Sequence, residues 1–170
     1  MARLSHLDSE GRARMVDVTD KDATSRVAVA RGMICMRPET LDMIVEKKVA
    51  KGDVFSVARV AAMMAAKKTP DLIPMCHPLN ITSVELSLTP ERNPARVEIE
   101  AIVKVTGQTG VEMEAMTAVA VSGLTIYDMC KAADRDMSIG EIRLVKKSGG
   151  KSGTFTRKGA SARTSVTEKS

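Results

Sequence analysis

Alternation with a period of two marks the middle of the chain. Val97, Ile99, Ala101, Val103 and Val105 are separated by mostly polar neighbours, and Val84, Leu86 and Leu88 alternate with Ser83, Glu85 and Ser87. Both patterns predict half-buried strands. The string between them, residues 90–94 (PERNP), reads as a hairpin loop. Upstream, residues 26–36 place Val27, Val29, Met33 and Cys35 at even spacing, a further strand signal. Ala13 to Val18 reads as a short strand before the charged loop 19–25, and Ser138 to about Val145 supplies the last strand. Helical segments interleave with these. Pro38-Glu39 opens one that runs to about Lys48, because a proline in the first turn sacrifices no hydrogen bond. Gly52-Asp53 starts a second that ends before Thr69-Pro70, and a long third spans about Glu112 to Ala132.

Setting aside the first strand and first helix, the order is β-α-β-β-α-β. That is the ferredoxin-like α+β arrangement, an antiparallel sheet with its helices packed on one face. The two main helices add a second expectation. Residues 54–66 hold one charge, Arg59, and residues 115–127 hold none. A helix with one face on a sheet and the other in water should show a polar stripe. These show none, so burial on both sides is predicted, and with it a homo-oligomer that covers the outer helix faces.

Composition narrows the picture. A chain of 170 residues with 44% hydrophobic content predicts one core, here a single domain over residues 1–155 followed by a basic, flexible tail over 156–170. Aromatics amount to 2% (Phe55, Tyr127, Phe155, no Trp), which argues against a protein that stacks bases on aromatic platforms. Cys35, Cys76 and Cys130 are odd in number and widely spaced, and no apolar leader precedes them, so a reduced cytoplasmic setting is expected. The uncharged run Ala115–Tyr127 is too short to span a bilayer. The net charge of +5 lies in the tail, since residues 146–170 hold seven basic residues against one acidic. The body is nearly neutral, and from Thr154 onward a solvated tail is expected, with no nucleic-acid partner.

Candidate chemistry falls on four segments. Glu112 and Glu114 open the long helix, where the dipole favours negative charge. Asp128 sits near its end, where the same dipole disfavours a carboxylate, with Lys131 one turn further on the same face. Glu114 and Asp128 are 14 residues apart, about 21 Å along a helix. If both serve one small substrate, the pocket must draw on two subunits. The second segment is residues 71–78 (DLIPMCHP), where Pro74 and Pro78 bracket His77 and restrict its backbone. Cys76 beside it fits a small buried hydrophobe better than a reactive thiol, and His6 in the polar N-terminus carries no functional expectation. Two histidines and three scattered cysteines lack zinc-ligand spacing. The third segment, Lys51-Gly52-Asp53 at a helix start, suits a phosphate. The loop with Asp17, Lys21 and Arg26 offers further cations, as does a solvated loop. The fourth, residues 147–153 (KSGGKSG), is not a Walker loop, because Val145 stands where that motif needs glycine and no helix follows. A Gly-rich segment that carries Lys147 over a phosphate and a plain flexible tail both fit it.

Six strings together resemble one family: MVDV (15–18), KGDVF (51–55), AAKKTPDLIPMCHP (65–78), TGVEMEAMTA (109–118), LTIYDMCKAADR (124–135) and KSGGKSG (147–153). The chain is similar to the cyclic pyranopterin monophosphate synthases, the MoaC family of molybdenum-cofactor biosynthesis, from residue 4 to about 155. Met75 and Met116 stand where leucine is expected, a change that keeps volume and polarity. The resemblance implies a lyase that converts 3′,8-cyclo-7,8-dihydroguanosine 5′-triphosphate to cyclic pyranopterin monophosphate and releases pyrophosphate. It also implies ferredoxin-like subunits assembled as a hexamer, a trimer of dimers, with pockets at subunit contacts. Carried over residue by residue, Asp128, Lys51 and Lys131 are catalytic. Met75, Cys76, His77, Met113 and Glu114 contact substrate, as do Glu112, Asp17, Lys21, Arg26 and Lys147. No resident cofactor or metal is expected, and Mg²⁺ arriving with the triphosphate stays open. The alternative is a small-molecule-binding regulatory module on the same fold, which would not need lysines spread over three segments.

Overall fold

The computed structural model describes Arg12, Val18, residues 21–151 and residues 153–159. Nine elements follow in these residues: β1 (Thr24–Cys35), α1 (Pro38–Val45), α2 (Val54–Lys67), α3 (Thr69–Leu72), β2 (Ile81–Arg92), β3 (Ala95–Gly107), α4 (Glu112–Cys130), β4 (Ser138–Ser148) and β5 (Phe155–Thr156). The sheet order is β2-β3-β1-β4-β5, and every pairing is antiparallel. Without β5 and the small helices α1 and α3, this is the ferredoxin-like topology that the element order predicts. The expected strand at Ala13–Val18 lies outside the described residues except for Val18, as do His6 and Asp17.

The core forms between the sheet and the pair α2 and α4, which pack on each other. On β3 the predicted inward set, Val97, Ile99, Ala101, Val103 and Val105, is buried throughout. On β1 the strand is where the alternation puts it, but its helix-facing side is the complementary one. Ala28, Ala30 and Ile34 are fully buried, whereas Val27, Met33 and Cys35 are only half-buried. The cause is the close approach of α4. A Cβ added at Gly32 would come within 2.7 Å of Val119 Cγ1, and one at Gly123 within 3.0 Å of Ile139 Cγ2. Small residues face the helix there, while the bulkier set lies on the other side of the strand.

Two boundaries differ from expectation. The hairpin loop over 90–94 shrinks to the turn Asn93-Pro94, because β2 and β3 stay paired to Arg92↔Ala95. Pro90 is tolerated within the ladder since β2 is an edge strand, where a missing N–H can face solvent. Helix α2 ends at Lys67, before Thr69-Pro70 as the sequence predicts, and the four-residue helix α3 follows from Thr69. Where a solvated tail was predicted from Thr154, β5 instead pairs Phe155 with Lys147 and Thr156 with Lys146. The Arg157 backbone N–H adds a bond to the Val145 carbonyl at 2.8 Å, and its Nε one to the Leu144 carbonyl at 2.8 Å.

The far side of the helices keeps the character read from sequence. Val57, Val60, Met63 and Met64 of α2 and Leu124 of α4 stand exposed on the single chain. Among the described residues no helix is long and apolar enough to cross a membrane.

Candidate active site

Helix α4 carries functional groups at both ends, and different parts of the chain meet each end. At its C-terminal end, Asp128 accepts from two ammonium groups. Lys51 Nζ lies 2.9 Å from Oδ2, and Lys131 Nζ lies 2.7 Å from Oδ1. Lys51 also donates to the Asp128 backbone carbonyl at 2.8 Å. Both cations sit where the helix dipole is negative, and together they offset the unfavourable placement of a carboxylate there. The two lysines hold the Asp128 carboxyl down at about 2. The same contact holds the Lys131 ammonium above its ordinary value. All three side chains are about half exposed.

Lys51 reaches this position because α2 is capped from within. Asp53 accepts the Ser56 backbone N–H at 3.0 Å and pairs with Lys47 at 3.2 Å. The start of α2 is thus capped by the Asp53 side chain, a role that accounts for Asp53 and leaves Lys51 to be explained. Lys51, two residues before the cap, turns to α4.

At the N-terminal end of α4 a cleft of about 340 Å³ is lined by Lys21, Met75, Cys76, His77, Glu112, Met113 and Glu114, with Val18, Leu79, Thr109 and Gly110. Glu114 is a buried carboxyl in the first helical turn. Burial pushes it above the usual carboxylate range, its own backbone N–H pulls the other way, and Glu112 adds to the rise. Burial and the charge of Glu114 also push the Cys76 thiol up, which keeps it protonated and fits the apolar role. Met75 and Cys76 lie in the turn closed by the Cys76 N–H to the Ile73 carbonyl at 3.0 Å, and His77 follows it.

A smaller hollow adjoins the cleft through Gly110 and Glu112 and brings in Arg26, Lys147 and Gly149. Lys147 Nζ pairs with Glu112 Oε1 at 2.9 Å. Arg26 donates from Nε to the Gly107 carbonyl at 2.9 Å and from Nη2 to the Gln108 carbonyl at 3.0 Å. The Gly-rich segment closes over this guanidinium. Gly149 has φ +97°, and a Cβ there would lie 2.2 Å from the Ser25 carbonyl oxygen, so only glycine fits.

The sequence-predicted residues therefore fall into two groups. Lys21, Arg26, Met75, Cys76, His77, Glu112, Met113, Glu114 and Lys147 gather at the start of α4. Lys51, Asp128 and Lys131 gather at its end. One chain does not unite them, for the helix holds Glu114 and Asp128 about 21 Å apart. Sequence reasoning missed Leu79, Thr109 and Gly110, which also line the cleft. The glycine two residues before the acidic helix start was the available signal: a Cβ on Gly110 would collide with the Glu112 carboxylate, at 1.9 Å from Oε2. Among the described residues no group of three His, Cys, Asp or Glu side chains is placed to hold a metal.

Comparison with known proteins identifies the family. The chain matches the family model "MoaC family" over residues 15–150. It is 63% identical to the cyclic pyranopterin monophosphate synthase of Pelotomaculum thermopropionicum over 166 residues, 98% of each chain. The synthase of Magnetococcus marinus is 60% identical over 92% of this chain and 96% of its own. That of Thermomicrobium roseum is 56% identical over 96% and 98%. With a family model matched over residues 15–150 and relatives this similar over nearly their whole lengths, the chain belongs to the MoaC family.

Proposed function

We propose that this chain is a cyclic pyranopterin monophosphate synthase. It takes 3′,8-cyclo-7,8-dihydroguanosine 5′-triphosphate, opens the purine-derived ring, forms the pterin and closes a cyclic phosphate. In the last step a hydroxyl of the substrate attacks the α-phosphorus, the bond to the β-phosphate oxygen breaks, and pyrophosphate leaves with the electron pair. By that chemistry the enzyme is a phosphorus–oxygen lyase acting in the cytoplasm. The observation that supports it best is the Lys51–Asp128–Lys131 cluster, three titratable groups from two segments held at 2.7 and 2.9 Å. Such a cluster can relay protons and neutralise charge as it develops on phosphate.

The cleft at the start of α4 holds the substrate in this reading. Glu114 accepts from the guanine-derived N–H and NH₂ edge, because an ionised carboxylate is acceptor-only. Met75, Cys76 and Met113 wall the ring, His77 stands at its edge, and Lys21, Arg26 and Lys147 face the triphosphate, with Glu112 holding Lys147. Asp17 joins them by resemblance. Each working site takes its cleft from one subunit and its Lys51–Asp128–Lys131 cluster from another, in a hexamer built as a trimer of dimers. The exposed Val57, Val60, Met63, Met64 and Leu124 supply apolar surface for that assembly. No resident cofactor takes part.

Incubation with the cyclised GTP derivative tests the reading, with pterin fluorescence and released pyrophosphate as readouts. Wild-type chain forms both products, while Lys51→Ala and Lys131→Ala lose them and keep the assembly. Normal turnover by either variant would refute the assignment.

A further inference from the structure

Asp134 is a charged side chain that the proposed reaction does not use, yet it is 2% exposed and fully engaged. Its Oδ2 accepts the Arg37 backbone N–H at 2.8 Å and the Thr40 hydroxyl at 3.2 Å. Its Oδ1 accepts the Asp136 backbone N–H at 3.1 Å and lies 3.5 Å from Arg37 Nε. Arg37 also donates from its side chain to the Ala133 carbonyl. These contacts join positions 94 to 97 residues apart in the chain. They also cap α1, whose N-cap residue Arg37 makes no side-chain cap of its own. A carboxylate at that helix start is further favoured by the dipole.

The segments joined in this way are those that deliver the cluster. Asp134 follows the last turn of α4, which carries Asp128 and Lys131, and its own N–H bonds the Cys130 carbonyl at 3.1 Å. From Arg37 the chain runs through α1 to Lys51. Buried Cys130 lies within the electrostatic reach of both Asp134 and Lys51, so the tie and the cluster are neighbours. We propose that Asp134 is a positioning residue, whose carboxylate locks the start of α1 to the exit of α4 and so keeps Lys51 in register with Asp128 and Lys131. This rests on the reaction proposed above. Asp134 touches no substrate.

The test pairs Asp134→Asn with Thr40→Val. In the first, one oxygen becomes an NH₂ that cannot accept from Asp136 or face Arg37. In the second, one donor to Oδ2 is lost. Asp134→Asn is expected to lower kcat about 100-fold, the scale of a misplacement of about 1 Å, while KM stays within about twofold because the cleft lies at the other end of α4. Thr40→Val is expected to lower kcat about fivefold, the weight of one modest hydrogen bond. Wild-type kcat in both variants, or a KM that rises as far as kcat falls, overturns the proposal. If Asp134→Asn does not fold, Thr40→Val decides alone, and its unchanged kcat overturns the proposal.

A second readout needs no turnover. The groups facing Asp128 are Lys51 and Lys131, with Tyr127 beside Lys131. Those facing Asp134 are Arg37, Asp136 and Cys130. Carbon NMR of the Asp128 carboxyl follows its titration in the full chain. In the variants its midpoint moves up toward the ordinary value of about 3.9. A midpoint that stays in place overturns the proposal. A wild-type chain that forms no pterin would defeat the reaction and not the tie, which this titration still decides.

Discussion

Mixed assemblies test the division of the site between subunits. The perturbation is a pair of variants, each defective at one end of α4: Lys51→Ala removes an ammonium 2.9 Å from Asp128, and Glu114→Gln replaces the buried carboxyl of the cleft. Each alone is expected to lose nearly all product formation. The helix separates the two positions by about 21 Å, so in a composite site one chain contributes the cleft and its neighbour the cluster. When both variants are co-expressed in equal amounts and assemble at random, a site is intact only if its cleft comes from a Lys51→Ala chain and its cluster from a Glu114→Gln chain. Each choice has even odds, so about one quarter of the sites in a symmetric assembly are restored. The assay is pyrophosphate release per site, with the single variants as baselines and wild type as full scale. Activity in the mixture no higher than in the separate variants refutes the composite site and returns both groups to one chain.

Three further outcomes follow from packing and charge. Gly32→Ala pushes a Cβ to within 2.7 Å of Val119, a stiff β-branched side chain that cannot swing aside. The expected cost is about 1–3 kcal/mol, read as a lower Tm in differential scanning calorimetry; an unchanged Tm defeats the close-approach account of β1. Burial holds Glu114 above its ordinary 4.5. Its native form therefore binds a proton more tightly than the unfolded chain, so stability is gained on acidification through that window and lost as pH rises. Substrate needs the ionised form, so the wild-type KM should fall as pH rises through the raised value, and a KM flat across that window refutes the role of the Glu114 carboxylate. Asp128 behaves in the opposite sense. Its carboxyl is held down at about 2, so its pairing persists well below the ordinary 3.8 and is lost only as pH falls through about 2. NMR titration that finds Asp128 near 3.8 contradicts the cluster.

The legible part of the fold was wherever side-chain size and period agreed. Val97 to Val105 read as a strand because mainly β-branched residues alternate with mostly polar ones, Ile102 being the exception, and Pro38 and Asp53 marked helix starts by local chemistry. On β1 the even spacing of Val27, Val29, Met33 and Cys35 marked the strand but not its helix-facing side, which is Ala28, Ala30, Gly32 and Ile34. Helix-to-sheet distance decides that face, and it is a tertiary quantity that a hydrophobic pattern does not encode. The turn at Asn93-Pro94 was obscured because two prolines suggest a loop unless the strand is known to lie at an edge. Asp53 as a cap was legible, but the reach of Lys51 across 77 residues to Asp128 was not. Glu112, Glu114, Asp128, Lys131, Lys51 and His77 stood out by residue type and position, while Met75 and Met113 were named from the family resemblance alone. The separation of Glu114 and Asp128 was readable from helical rise alone. The tie through Asp134 carried no such signal, since two of its four partners are backbone N–H groups that any residue but proline would present and the other two, on Arg37 and Thr40, lie more than 90 residues away in the chain.

Tyr127 precedes Asp128 and donates its hydroxyl to the Arg135 carbonyl at 3.2 Å. It is the single tyrosine in a chain without tryptophan. Ultraviolet emission from the unlabelled molecule therefore originates beside Lys131, and quenching or dequenching of that one fluorophore reports events at this end of the helix with no dye attached.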